Sequence, residues 1–187
     1  MGYTTNFYGT VYFNKPVAPE LKEFINKFSH NRHMTRDPEL IKKMDPNWKQ
    51  HCFNGNLGPN GIYYYPPEKI PEDKISRKMS WEKPAENKMI NNMFGQLVDI
   101  SVTADSPAEG VPGYWCQWVI NDDDELEWDG SEKFYAYDRW MEFLIKHFFA
   151  PEGYVLNGAI DFQGEDQYDR GTMYVSDNVV TMDYYNQ

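Results

Sequence analysis

The chain has 187 residues, 41% of them hydrophobic and 17% aromatic, with a net charge of −11. That is enough apolar material to build a core and too much for a disordered acidic tail. No run approaches the ~18 consecutive apolar residues of a membrane span, and no charged-then-apolar leader opens the chain, so the expected setting is the cytoplasm with no membrane partner. Residues 1–120 hold 14 Lys/Arg against 13 Asp/Glu, whereas residues 121–187 hold 4 against 16. Such a distribution argues against direct nucleic-acid binding through a broad basic face, and fits either an acidic C-terminal third offered to a basic partner or charge that serves solubility alone.

Tyr3–Phe13 alternates, with Tyr3, Thr5, Phe7, Gly9, Val11 and Phe13 on one side, and predicts a half-buried strand. Val17, Leu21, Phe24, Ile25 and Phe28 then recur at helical spacing, with Pro19 suited to the first turn and an expected stop near Ser29–Asn31. Residues 32–110 are punctuated by eight prolines. A short helix is expected at Pro38–Met44, a short strand at Gly61–Tyr65, a surface insertion over Lys69–Pro84, a helix over Glu86–Phe94 and a strand over Leu97–Val102.

Order returns at Tyr114–Ile120, expected as a strand that pairs through the charged turn Asn121–Glu125 with Leu126–Trp128. Asp129 followed by Glu132 has the form of a capping box. The stripe Phe134, Tyr137, Met141, Leu144, Ile145 and Phe148 predicts a long helix ending at Ala150, before Pro151 and Gly153. Tyr154–Gln163 alternates again, and Thr172–Val175 with Val179–Asp183 reads as a hairpin. The expected fold is a single α+β domain: an antiparallel sheet packed against two long amphipathic helices, with an irregular Pro-rich insertion over residues 66–110.

Two blocks carry a resemblance: "GYTTNFYG" through "INKFSHNRHMTRD", and "GVPGYWCQWVINDDDELEWDG" through "LNGAIDFQGEDQYDRGTMYVSDNVV". On these motifs the chain resembles a widespread family of small hypothetical proteins of bacteria, prophages and phages. The resemblance implies an accessory role in a phage or mobile element, and it brings no activity with it.

Four groups are candidate sites. Asp122, Asp123, Asp124, Glu125, Glu127 and Asp129, with Glu165, Asp166 and Asp169 of a second loop, form the acidic candidate. They read as solvated turn charges or as a face for a basic protein surface ahead of a cation site, because no Asp-x-Asp-x-Asp-Gly calcium loop occurs. In "FSHNRHMTRD", Arg32, His33 and Arg36 are a candidate anion grip, although cations at a helix C-terminus also serve the helix dipole. His30, His33, His51 and Cys52 lack clean zinc spacing. Gln163-Gly164-Glu165 has the Q-x-E form of a ribose-orienting glutamate without the residues that should accompany it.

Among Trp115, Trp118, Trp128 and Trp140, strand parity puts Trp115 and Trp118 on opposite faces. Trp118 is taken as the outward interface anchor, and Trp140 lies off the main helical stripe. Cys52 and Cys116 read as unpaired buried thiols. No nucleophile elbow, P-loop or dinucleotide fingerprint is present.

The expected function is therefore a small accessory protein that binds and inhibits a host protein, with nucleic-acid-binding proteins among the candidate partners. No catalytic residues, metal or cofactor are expected. The alternatives are a nucleotide- or anion-binding enzyme or sensor built on Arg32, His33 and Arg36, and a self-assembling structural component that forms a homo-oligomer.

Overall fold

Alternating burial along the first strand organises the sheet. The computed structural model describes residues 2–67, 75–76, 89–91, 97–98, 101–104 and 106–185. In chain order its elements are β1 (Thr5–Phe13), α1 (Pro19–Ser29), β2 (Thr35–Arg36), α2 (Pro38–Met44), β3 (Ile75–Ser76), β4 (Met89–Asn91), β5 (Leu97–Val98), β6 (Val102–Ala104), β7 (Trp118–Ile120), β8 (Glu125–Trp128), α3 (Tyr137–Leu144), β9 (Leu156–Gly164), β10 (Arg170–Ser176) and β11 (Val179–Tyr184). The chain is α+β. It divides into two compact units, residues 1–31 with 115–187, and residues 32–114, so the second is spliced into the first over a wider span than 66–110.

The first unit holds a six-stranded antiparallel sheet in the order β11-β10-β9-β1-β8-β7. Thr5, Phe7 and Val11 of β1 and Leu156, Ile160 and Phe162 of β9 point into the core, as period-two alternation requires. Phe7 lies edge-on to Trp118, Trp128, Phe134 and Tyr137, with ring centroids 4.7–5.7 Å apart. Helix α1 spans eleven residues and buries Leu21, Phe24, Ile25 and Phe28. Phe148 packs edge-on against both Phe24 and Phe28. Fully burying one such ring is worth roughly 1.5–3 kcal/mol, so this aromatic cluster dominates the unit's stability.

The third helix starts and ends differently from the expectation. Its first residue is Tyr137, behind Ala136 in a left-handed conformation. Asp129 does not cap it; its Oδ1 accepts the backbone N–H of Ser131 instead. Positive φ at Gly130, Lys133 and Ala136 keeps residues 130–136 out of the helix while still burying Phe134. After Leu144 the chain continues as a π turn, Ile145–Phe149, and a 3-10 turn, Ala150–Glu152, released by Gly153 at φ 74°. Trp140, off the main stripe by spacing, is fully buried.

One edge of the sheet is covered by side chains of α1. Residues 118 and 120 of β7 turn their peptide groups away from β8, because Asn121 and Glu125 already bond across that pair. Asn26 meets Ile120 twice, Nδ2 donating to its carbonyl at 2.9 Å and Oδ1 accepting its N–H at 2.8 Å. Ser29 Oγ donates to the Trp118 carbonyl at 2.6 Å. In effect a helix supplies the missing strand.

In the second unit, Ile41, Met44, Cys52, Leu57 and Tyr64 form the core, with Trp48 against it. Helix α2 spans Pro38–Met44 as expected, capped by Asp37 through Glu39 N and Leu40 N. The expected strand Gly61–Tyr65 is instead a 3-10 turn, Pro59–Gly61, and a single bridge from Cys52 to Tyr64. Positive φ at Gly58, Asn60 and Gly61 coils the chain there. Strand β2 pairs with β6, and β4 lies between β3 and β5. Met89–Asn91 is thus strand where a helix was expected, and the rest of that prediction, with most of Lys69–Pro84, lies outside the described residues. No helix among the described residues is long and apolar enough to cross a membrane.

Candidate functional site

The register of β1 separates the two acidic loops. Tyr12 pairs with Glu125 and Thr5 with Gly164, so the 121–125 turn sits at one end of β1 and the 165–169 loop at the other. Seven residues of strand put them roughly 23 Å apart. They do not form one acidic face.

The 165–169 loop is occupied internally. Glu165 Oε1 accepts the N–H of Thr4 at 2.8 Å, and Asp169 Oδ2 accepts the Tyr3 hydroxyl at 2.7 Å. The Tyr3 hydroxyl in turn accepts the N–H of Asp166 at 3.2 Å. A Cβ on Gly164 would stand 2.2 Å from the Tyr3 hydroxyl, so only glycine leaves room for this clasp. The opening "GYTT" and the "FQGED" motif are therefore packing partners. Gln163 Nε2 donates to the Gly164 and Asp166 carbonyls, which commits the Q-x-E sequence to its own loop.

At the other end, Asp122 and Asp123 are exposed and Glu125 is half-buried. Asp124 binds Lys22 Nζ at 3.0 Å and the N–H of Val17 at 3.2 Å. The Lys22 contact and the Val17 bond hold its carboxyl below the usual range. Glu127 accepts Asn121 Nδ2 at 2.9 Å. Asp123, Asp124 and Glu125, with Tyr12, Asn14 and Lys15, line a shallow cleft of about 400 Å³.

This cleft opens at the rim of the sheet face opposite the core. On that face Tyr8 pairs with Asp161, Asp161 with Thr172 and Thr172 with Asp183, while Thr10, Ala159 and Tyr174 form the adjoining row. Tyr8, Tyr12 and Tyr174 are 64%, 55% and 44% exposed. Among the described strand residues, Asp161, Asp183, Glu125 and Glu127 share the face with one cation, Arg170. Asp161 Oδ1 accepts the hydroxyls of Thr172 and Tyr185, which orders its carboxylate. The sequence signal for this face is Tyr8 and Tyr12 on the non-core side of β1, which the charge runs do not reveal.

Trp118 is not an outward anchor. It is fully buried, its Nε1 donating to the Tyr137 carbonyl at 2.9 Å, and Trp115 is the exposed residue of the pair, at 45%. Parity separated the two faces but did not say which one met the core. Gln117 bonds Trp128 Nε1 and the Glu132 carbonyl, so "GYWCQW" also serves packing.

Of the anion-grip residues, His33 and Arg36 are buried and Arg32 is exposed. Arg36 donates from both terminal nitrogens to the Arg32 carbonyl, and Arg32 lies over the Tyr114 ring at 4.6 Å. An anion arriving from solvent meets one of the three. His30 Nδ1 lies 2.6 Å from the Asn26 carbonyl, and His51 Nδ1 lies 2.5 Å from Asp45 Oδ2. Among the described residues no three His, Cys, Asp or Glu side chains are grouped to hold a metal. Burial pushes the Cys52 thiol up to about 11, with Asp45 adding to it, and burial pushes Cys116 up to about 12.

Comparisons with protein-family models, with curated proteins and with solved structures give no match.

Proposed function

We propose that this chain is a binding module that docks a basic segment of a host protein on its open sheet face and inhibits that protein. The reading rests on one observation: exposed Tyr8, Tyr12 and Tyr174 share a face with four carboxylates and a single guanidinium. Tyrosine gives a large, rigid contact area at little conformational cost, and the carboxylates steer and orient a cationic partner. The acidic turn Asp122–Glu125 extends the same charge around the rim. The resemblance of its motifs to a family of phage and prophage proteins, read from the sequence, favours an accessory role in the host cytoplasm.

The test uses the tagged chain as bait in a bacterial lysate, beside a rim variant (Asp122→Asn, Asp123→Asn, Glu125→Gln) and a face variant (Tyr8→Ala, Tyr174→Ala). A partner held by the parent at low salt, shed at high salt and lost from both variants supports the reading, since exposed charge pairs are screened beyond ~10 Å at 0.1 M salt. A partner that both variants retain refutes it.

A further inference from the structure

The two edges of the six-stranded sheet are finished differently. At β7 both peptide groups of Ile120 are taken up by Asn26 and the Trp118 carbonyl by Ser29, so α1 covers that edge. At β11, among the described residues, no strand pairs on the outer side. The β10–β11 hairpin turns at Asp177-Asn178, both with positive φ, and Ser176 pairs with Val179. In a two-residue hairpin that flanking pair exchanges both hydrogen bonds, so Val179, Thr181 and Asp183 bond towards β10. Tyr185 continues the pattern, its N–H donating to the Arg170 carbonyl. Val180, Met182 and Tyr184 therefore direct their N–H and C=O groups outward.

Sheet edges are usually blunted by charged side chains, lysine above all, by proline or by a bulge, and the one charge on β11 is Asp183, whose peptide groups bond inward to β10. Val179–Tyr184 has neither lysine nor proline, and its register with β10 runs unbroken through six pairs. Val179, Thr181, Asp183 and Tyr184 are exposed.

We infer that β11 is a homodimerisation edge, pairing antiparallel with β11 of a second copy about a two-fold axis through Met182. Symmetry and alternation select the register. Opposed residues must lie on the same face, and the outward groups of one strand must meet those of the other. With Met182 facing Met182 of the second copy, Val180 faces Tyr184 and all three outward positions bond, giving roughly six ladder hydrogen bonds. Centring on Thr181 instead leaves Tyr184 without a strand residue opposite. In the Met182 register Thr181 faces Asp183 of the second copy, so no like charges are directly opposed. The outcome is one twelve-stranded sheet with two copies of the open face on the same side. This inference stands apart from the docking reading.

The experiment is sedimentation velocity on the full chain over a concentration series at low and high salt. A monomer–dimer equilibrium is expected, strengthened by salt because both copies are acidic, whereas docking of a basic partner is weakened by it. Thr181→Asp places a carboxylate opposite Asp183 and should raise the dimer dissociation constant about tenfold; Thr181→Lys should lower it by a similar factor. In the Thr181-centred register both substitutions would weaken the dimer. Met182→Cys should form an intermolecular disulfide on mild oxidation, since opposed Cα atoms about 5.5 Å apart suit one, and Val180→Cys should not. A chain that stays monomeric at every concentration and salt, or Thr181 variants that leave the dimer unchanged, would overturn the assignment.

Discussion

Replacing Asn26 tests whether a helix side chain closes the β7 edge. Asn26→Ala removes the donor to the Ile120 carbonyl and the acceptor for its N–H. Each bond contributes about 1 kcal/mol net, and part-buried peptide groups left without partners add to the loss. Alanine returns about 0.5 kcal/mol of helix propensity, so the expected net loss is about 2 kcal/mol. Glu23 on the same helix is exposed and pairs with Lys27 at 2.6 Å, so Glu23→Ala serves as the control, with a change within ~0.5 kcal/mol. Urea unfolding followed by tryptophan fluorescence should show the Asn26→Ala midpoint falling by about 1 M at unchanged slope. Asn26→Asp keeps the acceptor but sets a carboxylate against the Ile120 carbonyl, and should lose at least as much. Should Asn26→Ala behave like Glu23→Ala, the two bonds contribute nothing and the edge is closed in some other way.

Burial raises both thiols, so a disulfide reagent at neutral pH should label neither Cys52 nor Cys116 in the native protein and both after denaturation. A Cβ on Gly171 meets the Asp183 backbone carbonyl at 2.1 Å, whereas one on Gly164 meets the movable ends of Tyr3 and Asp169. Gly171→Ala should therefore cost the more, on the order of 1–3 kcal/mol by chemical denaturation. The lowered Asp124 carboxyl favours the charged form in the fold, so its contribution is full above the ordinary carboxylate range and lost as pH falls through the folded-state value. Asn tolerates the left-handed φ of 59° at this position, and Asp124→Asn should remove that part of the acid sensitivity in midpoints measured from pH 5 to 2. His147 is held below its ordinary 6.5 by burial and then Lys146, so stability falls as pH drops through 6.5, and His147→Gln should flatten that slope.

Much of the sheet was legible because burial has period two on one side only: the β1 and β9 alternations name Phe7, Val11, Ile160 and Phe162 directly. Helix α1 was legible through Pro19 and one clean stripe. The start of α3 was not, because Lys133 and Ala136 adopt left-handed backbone that neither residue type advertises. The candidate site was harder. Charge runs show where carboxylates lie along the chain, but only strand register shows that Asp122–Glu125 and Glu165–Asp169 sit at opposite ends of β1. Nor does a motif say whether it faces solvent: Tyr3, Gly164, Glu165 and Asp169 bind one another.

The pairing of β1 with β9 also sets a timetable for synthesis. Nine residues near the start of the chain, Thr5–Phe13, pair with Leu156–Gly164, about 150 residues later. At ~5–20 residues per second the ribosome takes roughly 8–30 s to deliver that partner. During that interval Phe7 and Val11 are exposed on a strand whose other neighbour, β8, covers only part of its length. Long-range strand pairing is intrinsically slow to form, which lengthens the exposure. Nascent chains stalled before Leu156 should accordingly be held by chaperones or aggregate, and those that reach Gly164 should become protease-resistant in the first unit.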